Sequence, residues 1–533
     1  MATAENLNIS SWYLHPTTPR YDGNNPSSAR SGAGHPLATD HFTASRMTMV
    51  GAYPRPDTET QTHARHRLLS TEIDYRIPIG VQGGARPLKY DIITAPTGTT
   101  LGQLYDDVDH GILELPAASV PASGTYTFTV RVTDQELNTV DLTWNATVDD
   151  AAFIYIDNSA VSSGDGTHGS PLKDFQDWFL DDSTDSTYLD KVTVWRTGSG
   201  AYNIRGNASS TTNVSVQANS KTPSFIAYPG EAPVWDCATA KILTDTPGGL
   251  DDLTVIGMTF QNARQDVNNA HFWWVRGGIQ RVCFAENTFK DFGGGGTVGN
   301  DNTCPIFISD TGTLKSYILI KNNIFDNIDT KIGGTPTSNG SMFDNYYTQY
   351  LVFEGNTAIN CDTTYGWWFK GSTQFITVAQ NVAVTGNLGR LISMGYGTEA
   401  QDTPHDQEVC WNQLVGATGD SGQDIVLWAM SAANSTLSYN SWFDRNTCLN
   451  RRVRTQFFTN TTNTPPTPDS ELLNTEDNVI ISDAVSNHWV ASVMNESGNI
   501  TDTETGNTTT DTSGVLTGAA RTANLGLKGH EID

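Results

Sequence analysis

The sequence predicts an all-β protein: a right-handed parallel β-helix solenoid, preceded by a small β-sandwich and an extended N-terminal arm. Three observations carry this. Short apolar alternations recur from about residue 250 onward, most with an asparagine near the end. Residues 73–150 hold longer alternating runs between turn signals. The first 72 residues show no apolar period at all. Glycine is abundant and accompanied by many Asn and Thr, which favours strands and turns over helices.

Charge removes several classes of function. The chain carries 31 Lys and Arg against 58 Asp and Glu, a formal charge of −27, with no long basic cluster. Nucleic-acid binding needs cations that displace counterions from phosphate, so nucleic acid is excluded as a partner. An anionic membrane surface is excluded on the same ground. No apolar run is long enough to span a bilayer, so membrane insertion is not expected. The opening residues "MATAENLNISSWYLHPTTPR" lack the basic and apolar regions of a signal peptide.

Residues 1–72 form the expected arm. They contain six Arg, no Lys and six acidic residues, so the negative charge lies entirely in 73–533. Pro and Gly recur, and branched aliphatics are too sparse for an independent core. Two readings remain, a structureless tail or an arm that orders on a partner. The large apolar residues Trp12, Tyr13, Phe42, Met47, Met49 and Tyr53 favour a docking arm. His63 and His66 in "HARH" have no surrounding ligand set, so no metal is expected there.

Residues 73–150 form the expected sandwich. In "TYTFTVRVTD" the alternation puts Tyr126, Phe128, Val130 and Val132 on one face, and "VDLTWNATV" repeats the pattern. The run "GGARPLKYDI…GTYTFTVRVTD" resembles the Ig-like, cadherin-like modules of bacterial and phage surface proteins. That resemblance implies a spacer or adhesion unit. It also raises Ca2+ at an acidic linker, for which "TVDDAAF" offers Asp149 and Asp150. No other cofactor is expected.

Residues 151–485 form the expected solenoid. Segments such as "VCFAENTFKDF", "ILIKNNIFDNI" and "LVFEGNTAINC" align Asn287, Asn323, Asn356, Asn381, Asn412, Asn446 and Asn478; the first segment has Met258 instead. A period of this size marks a repeat architecture, and the strands are too short and too free of helical spacing for any other solenoid. An inward asparagine at each bend would bond to the coils above and below, and Met258 would cover an apolar end. The entry "YIDNSAVSSGDGTHGSPLKDFQDWF" and the stretch "PSFIAYPGEAPVWDC" resemble the first coils of pectate-lyase-like β-helix proteins. The resemblance implies that "SPLKDFQDWF" is a capping helix with Phe175, Trp178 and Phe179 inward, covering exposed strand edges. Residues 486–533 are polar and are read as a C-terminal cap or extension. Cys237, Cys283, Cys304, Cys361, Cys410 and Cys448 are far apart and read as buried thiols.

β-helix proteins of this kind often bind polysaccharide along one face. Lyases use a basic residue as proton acceptor, and hydrolases use paired carboxylates. The candidates of that type are Asp344, Glu354, Asp362 and Lys370, with Asp326 and Asp329 nearby in sequence. Tyr346, Tyr347, Trp367 and Trp368 are the expected glycan-stacking residues, since a sugar's apolar face packs on a ring. A second acidic group is Asp402, His405, Asp406 and Glu408. "FGGGGTVGN" lacks the Lys-Ser/Thr of a phosphate loop. An acidic chain carries many solvated carboxylates, so the reading leans toward a binding surface over an enzyme. Together the arm, module and solenoid resemble bacteriophage virion proteins that project from the particle as spike, fibre or capsid decoration. The implied partners are other virion proteins, a host-surface glycan and two further copies in a homotrimer; a polysaccharide lyase or glycoside hydrolase and a bacterial adhesin are the alternatives.

Overall fold

The computed structural model describes residues 47–54 and most of 64–497; the longest internal gaps are 179–187, 205–212, 245–251, 264–270, 294–302, 395–404, 417–423, 432–440 and 459–472. Short strands separated by bends wind into coils that build three long parallel sheets. The first sheet has twelve strands, from Phe153–Ile156 to Asn495–Ser497. The second and third have ten each, ending at Val479–Ser482 and Trp489–Val490. This is a parallel β-helix. The first sheet runs past residue 485, so the coils extend beyond the expected boundary.

Register keeps like residues in columns. In the second sheet Trp235, Phe260, Phe289, Phe325, Ala358, Ala383, Leu414 and Cys448 align coil upon coil, and all are buried. Phe260 stacks on Phe289 at 5.2 Å, and Phe289 on Phe325 at 5.4 Å. Such columns make the interior a continuous apolar core.

The bend between the first and second sheets carries the asparagine ladder. Asn287, Asn323, Asn356, Asn381 and Asn412 each donate Nδ2 to the Oδ1 of the next, at 2.8–3.0 Å, and the series ends on Asn446. Each Oδ1 from Asn323 to Asn446 also accepts the backbone N–H of the preceding ladder residue. A second Nδ2 proton goes to a carbonyl of the preceding coil, such as Val255 O for Asn287. The residue before each rung turns the corner with positive φ: Glu286, Asn322, Gly355, Gln380 and Trp411. At Gly355 a Cβ would lie 2.2 Å from Asn322 Oδ1, so a side chain there would have to displace the Asn322 amide. Met258 opens the ladder, its N–H bonded to Asn287 Oδ1, but earlier coils lie before it, so it does not close the end of the solenoid. Asn478 lies outside the described residues.

The apolar end is met by a helical turn, Phe175–Trp178. Phe175 is buried against Trp195 and Trp235, at 6.2 and 5.6 Å. The Trp178 side chain and Phe179 lie outside the described residues.

Residues 64–148 supply two sheets, antiparallel except where Leu68–Leu69 pairs parallel with Thr139–Val148. One holds Leu68–Leu69, Thr139–Val148, Thr125–Thr133 and Lys89–Thr94; the other holds Tyr75–Pro78, Val108–Leu115 and Thr100–Tyr105. Phe128, Val130 and Val132 face inward as expected, while Tyr126 is half-buried. Phe128 lies between the Tyr75 and Trp144 rings, and Trp144 Nε1 donates to Tyr75 Oη at 2.7 Å.

This small body lies flank-on against the outer face of the first sheet. Ile79, Val81 and Tyr53 share one apolar cluster with Ile256, Cys283, Leu319 and Val352 of successive coils. Polar ties span the same length: Tyr53 Oη to Thr254 Oγ1 at 3.2 Å, Lys321 Nζ to Ile79 O at 3.1 Å, Gly83 N to Thr377 Oγ1 at 3.0 Å, and Trp411 Nε1 to Arg86 O at 3.1 Å. Here the structure corrects the expected arm. Met47, Met49 and Tyr53 are buried within their own chain, and Val50–Tyr53 pairs with Gly80–Gln82. They are therefore not exposed anchors for a partner. His66 is also buried, and burial with neighbouring Arg67, Arg281 and Arg65 lowers it to about 3, so it stays neutral. Trp12, Tyr13, Phe42 and His63 lie outside the described residues.

Candidate functional site

The sequence candidates separate onto different faces once register is fixed. In the third sheet Ile306, Phe343, Trp367 and Ile392 form one column, and Phe307, Asp344, Trp368 and Ser393 form the next. Adjacent residues of a strand point to opposite faces. Trp367 belongs to the solenoid core, 5.1 Å from the Phe353 ring. It cannot stack on a sugar. Trp368 lies in the outward column, and the strand Tyr365–Lys370 returns Lys370 to the same side.

A contiguous track of contacts runs along this outer face. Lys370 Nζ donates to Asp344 Oδ2 at 2.6 Å and to Tyr346 Oη at 2.8 Å. The same ammonium sits 3.3 Å from the centroid of the Trp368 ring. Tyr365 stacks on Trp368 at 3.7 Å, and the Arg390 guanidinium lies 5.4 Å above Tyr365. On the other side Tyr346 meets Phe307 edge-on at 6.0 Å, and Phe307 stacks on His271 at 4.8 Å. Tyr346 and Arg390 are half-buried, whereas Asp344, Trp368 and Lys370 are almost fully covered.

Asp344 has the electrostatics of a proton-exchanging group. Burial pushes its carboxyl up to about 7, although Lys370 pulls the other way by charge and hydrogen bond. Oδ2 is held by Lys370, while Oδ1 is buried without a hydrogen-bond partner among the described residues. A carboxyl in this state both donates and accepts at neutral pH.

The remaining acidic candidates do not join it. Glu354 is on the first sheet, bonded to Lys321 at 2.9 Å and 3.8 Å from Arg86. Burial alone would raise its carboxyl, but Lys321 and then Arg86 reverse this and hold it below the ordinary range. Glu354 therefore ties the small body to the solenoid and is no groove carboxylate. Asp362 lies beside Asp329 at the far end of a second-sheet strand, its N–H bonded to Ile328 O. Asp326 accepts from Asn360 Nδ2 at 3.2 Å. Glu408 is buried near Thr377, within the interface with Arg86. Asp406 occupies a left-handed bend, and Asp402 and the His405 side chain lie outside the described residues. Tyr347 is a buried corner residue with positive φ, its carbonyl accepting from Lys315 N, so it offers no open ring face.

Asp149 Oδ1 caps the turn at Ala151, and Asp150 accepts from Ser70 Oγ, Thr71 N and Thr71 Oγ1. Among the described residues no three His, Cys, Asp or Glu converge in a metal-binding group. All six cysteines are free and buried. Sequence reading missed Phe307, His271, Tyr365 and Arg390. Adding one coil to positions 344 and 368 would have reached Phe307 and the neighbourhood of Arg390, once the alternation frame was known.

No family model matches the chain, and no curated protein matches it. Two solved structures are similar at 11% identity: the catalytic domain of a GH87 α-1,3-glucanase in complex with nigerose, in two variants. Each match covers 80% of this chain and 86% of the other, with a TM-score of 0.17. A likeness at that level carries no argument about this chain's fold or activity, which rest on its own coils and side chains.

Proposed function

We propose that this chain is a bacteriophage virion protein that projects from the particle and binds host-surface polysaccharide on the outer face of its third sheet, without cleaving it. The observation that carries the binding reading is the pair of half-buried residues Tyr346 and Arg390 on one outer face, held in place by the buried Lys370, Trp368 and Tyr365 between them. The Tyr346 ring supplies apolar area for a sugar face, and the Arg390 guanidinium supplies donors for its polar groups. Against cleavage stands the dispersal of the carboxylates: Asp344 and Glu354 lie on different sheets, and Glu354 is already committed to Lys321. The virion part is supported by the neutral, Arg- and His-rich leading segment ahead of a β-domain and a long solenoid. Residues 1–46, including Trp12, Tyr13 and Phe42, remain the segment proposed to dock on other virion proteins, and a homotrimer remains the proposed assembly.

The test incubates the purified chain with host capsule and lipopolysaccharide. Retention of glycan by the wild type, and its loss in Tyr346→Ala with an unchanged melting curve, supports the reading. New reducing ends or new unsaturated-sugar absorbance would replace it with a hydrolase or a lyase respectively. Absence of any glycan binding would remove it.

A further inference from the structure

We infer that the buried pair Lys370 and Asp344 is a self-modification site, where the two side chains condense into an amide that covalently joins neighbouring coils. The inference does not depend on what the outer face binds.

The pairs Lys321–Glu354 and Lys370–Asp344 both tie neighbouring coils from buried positions, but their surroundings differ. Lys321 Nζ lies 2.9 Å from Glu354 Oε2 and also donates to Ile79 O at 3.1 Å, while Arg86 stands 3.8 Å from the other carboxylate oxygen. Burial alone would raise the Glu354 carboxyl, but Lys321 and then Arg86 hold it below its ordinary range. An ionised carboxylate resists attack by an amine, so this pair stays a salt bridge.

At Lys370 the balance is reversed. Nζ lies 2.6 Å from Asp344 Oδ2, the two side chains are 2% and 0% exposed, and among the described residues no second cation pairs with the carboxyl. Burial pushes that carboxyl up to about 7, so the uncharged acid is populated at neutral pH. The strands Ser341–Tyr346 and Tyr365–Lys370 pair in parallel, with Asp344 opposite Trp368 and Tyr346 opposite Lys370. The Trp368 ring, 3.3 Å from Nζ at its centroid, covers the pair. Its attraction for the cation is lost when the amine is freed, which makes the reaction slow.

The step balances within the pair. Of the three protons on Nζ, one crosses the hydrogen bond to Oδ2. The freed lone pair attacks Cγ, one bond beyond Oδ2, and the Nζ–Cγ bond forms. Tyr346 Oη, 2.8 Å from the same nitrogen, takes a second proton and passes its own to Oδ2. The Cγ–Oδ2 bond breaks, and Oδ2 leaves as water. The third proton stays on the amide nitrogen, where it can still hold Tyr346 Oη. Oδ1, buried without a hydrogen-bond partner among the described residues, becomes the amide oxygen. No oxidant or further reactant is needed. Free amines and acids do not join in water, but contact gives an effective concentration of up to about 10⁵–10⁸ M, and a covered site keeps solvent from reversing the step. The structure holds the pair before reaction, and the titration of Asp344 belongs to that state; joined chains lack it.

The experiment follows the purified full chain at neutral pH by intact-mass spectrometry over time. A growing fraction lighter by one water is expected. Trypsin should read through Lys370 in that fraction and release a peptide from Ile332 to Arg390. A glutamate-specific cut after Glu354 should open this peptide without separating its halves. Lys321, on the ionised pair, should still be cut. Asp344→Ala and Lys370→Arg should each keep the full mass, and Tyr346→Phe should slow the loss of water by about 10²-fold. The joined halves are read on the wild type alone, so the result stands where a variant fails to fold. A native chain that keeps its full mass throughout, or a water loss that survives in Asp344→Ala or Lys370→Arg, would overturn the inference.

Discussion

At the scale of single residues, the ladder and Asp344 make the sharpest demands. Asn323 and Asn356 each join three coils through one amide. Leucine at either position would leave backbone donors and acceptors buried and unpaired, at a cost of about 1–3 kcal/mol. Urea melts of Asn323→Leu and Asn356→Leu should shift to lower midpoint with unchanged slope. Asp344 gives a signed pH effect. Because burial raises its pKa from 3.8 to about 7, the folded protein retains a proton that the unfolded chain has released. Stability therefore falls as pH rises from about 4 to about 7. Asp344→Asn should flatten that part of the stability–pH curve; an unchanged slope would show that the carboxyl does not titrate there. The ladder was readable in the sequence because one residue type recurs at one corner. The Trp367/Trp368 pair was not. All six residues of Tyr365–Lys370 are buried, so the strand shows no polar alternation to say which ring faces inward. Register with Phe343 and Asp344 settles it; Trp367→Ala should open a cavity in the coil core, and Trp368→Ala, equally buried, should destabilise by about 3–5 kcal/mol through the lost packing of Lys370 and Tyr365 on the outer face.

At the scale of elements, the contact between the small body and the first sheet decides the behaviour. Gly80 passes so close to the solenoid that a Cβ would lie 2.6 Å from Leu319 Cδ1. Gly80→Ala should cost about 1–3 kcal/mol through overpacking, and the loss should appear in hydrogen exchange on both sides of the contact. Glu354 acts from the same place with the opposite pH sign to Asp344. Its carboxyl is held low by Lys321 and Arg86, so its contribution is present above its unfolded pKa and fades as pH falls through the folded one. Glu354→Gln leaves two buried cations short of a partner and should cost about 3–5 kcal/mol at neutral pH. The strands of both parts were legible from alternation. Their docking was not, because the partners are distant in sequence and the apolar residues involved match those of an ordinary strand. Met47, Met49 and Tyr53 look like anchors for another protein until Thr254 and the first sheet are placed beside them.

At the scale of the whole molecule, a solenoid alone would come apart coil by coil, since each repeat touches only its neighbours. Here one body grips coils from Thr254 to Trp411. The two parts should unfold in a single calorimetric transition, and two resolved transitions would contradict the interface. Deleting residues 1–46 should leave that transition in place. Deleting 1–72 removes the strand Val50–Tyr53 and the pair Leu68–Leu69, and should lower the melting temperature. The same grip imposes a delay on the newborn chain. Ile79 and Lys321, on the coil of Leu319, are 242 residues apart. At about 5–20 residues per second on the ribosome, the underside formed by Ile79 and Val81 waits roughly 12–48 s for the coil that covers its middle. Throughout that interval it offers an apolar strand edge to every other nascent chain within reach, so yield in the producing cell should depend on how fast translation reaches that coil.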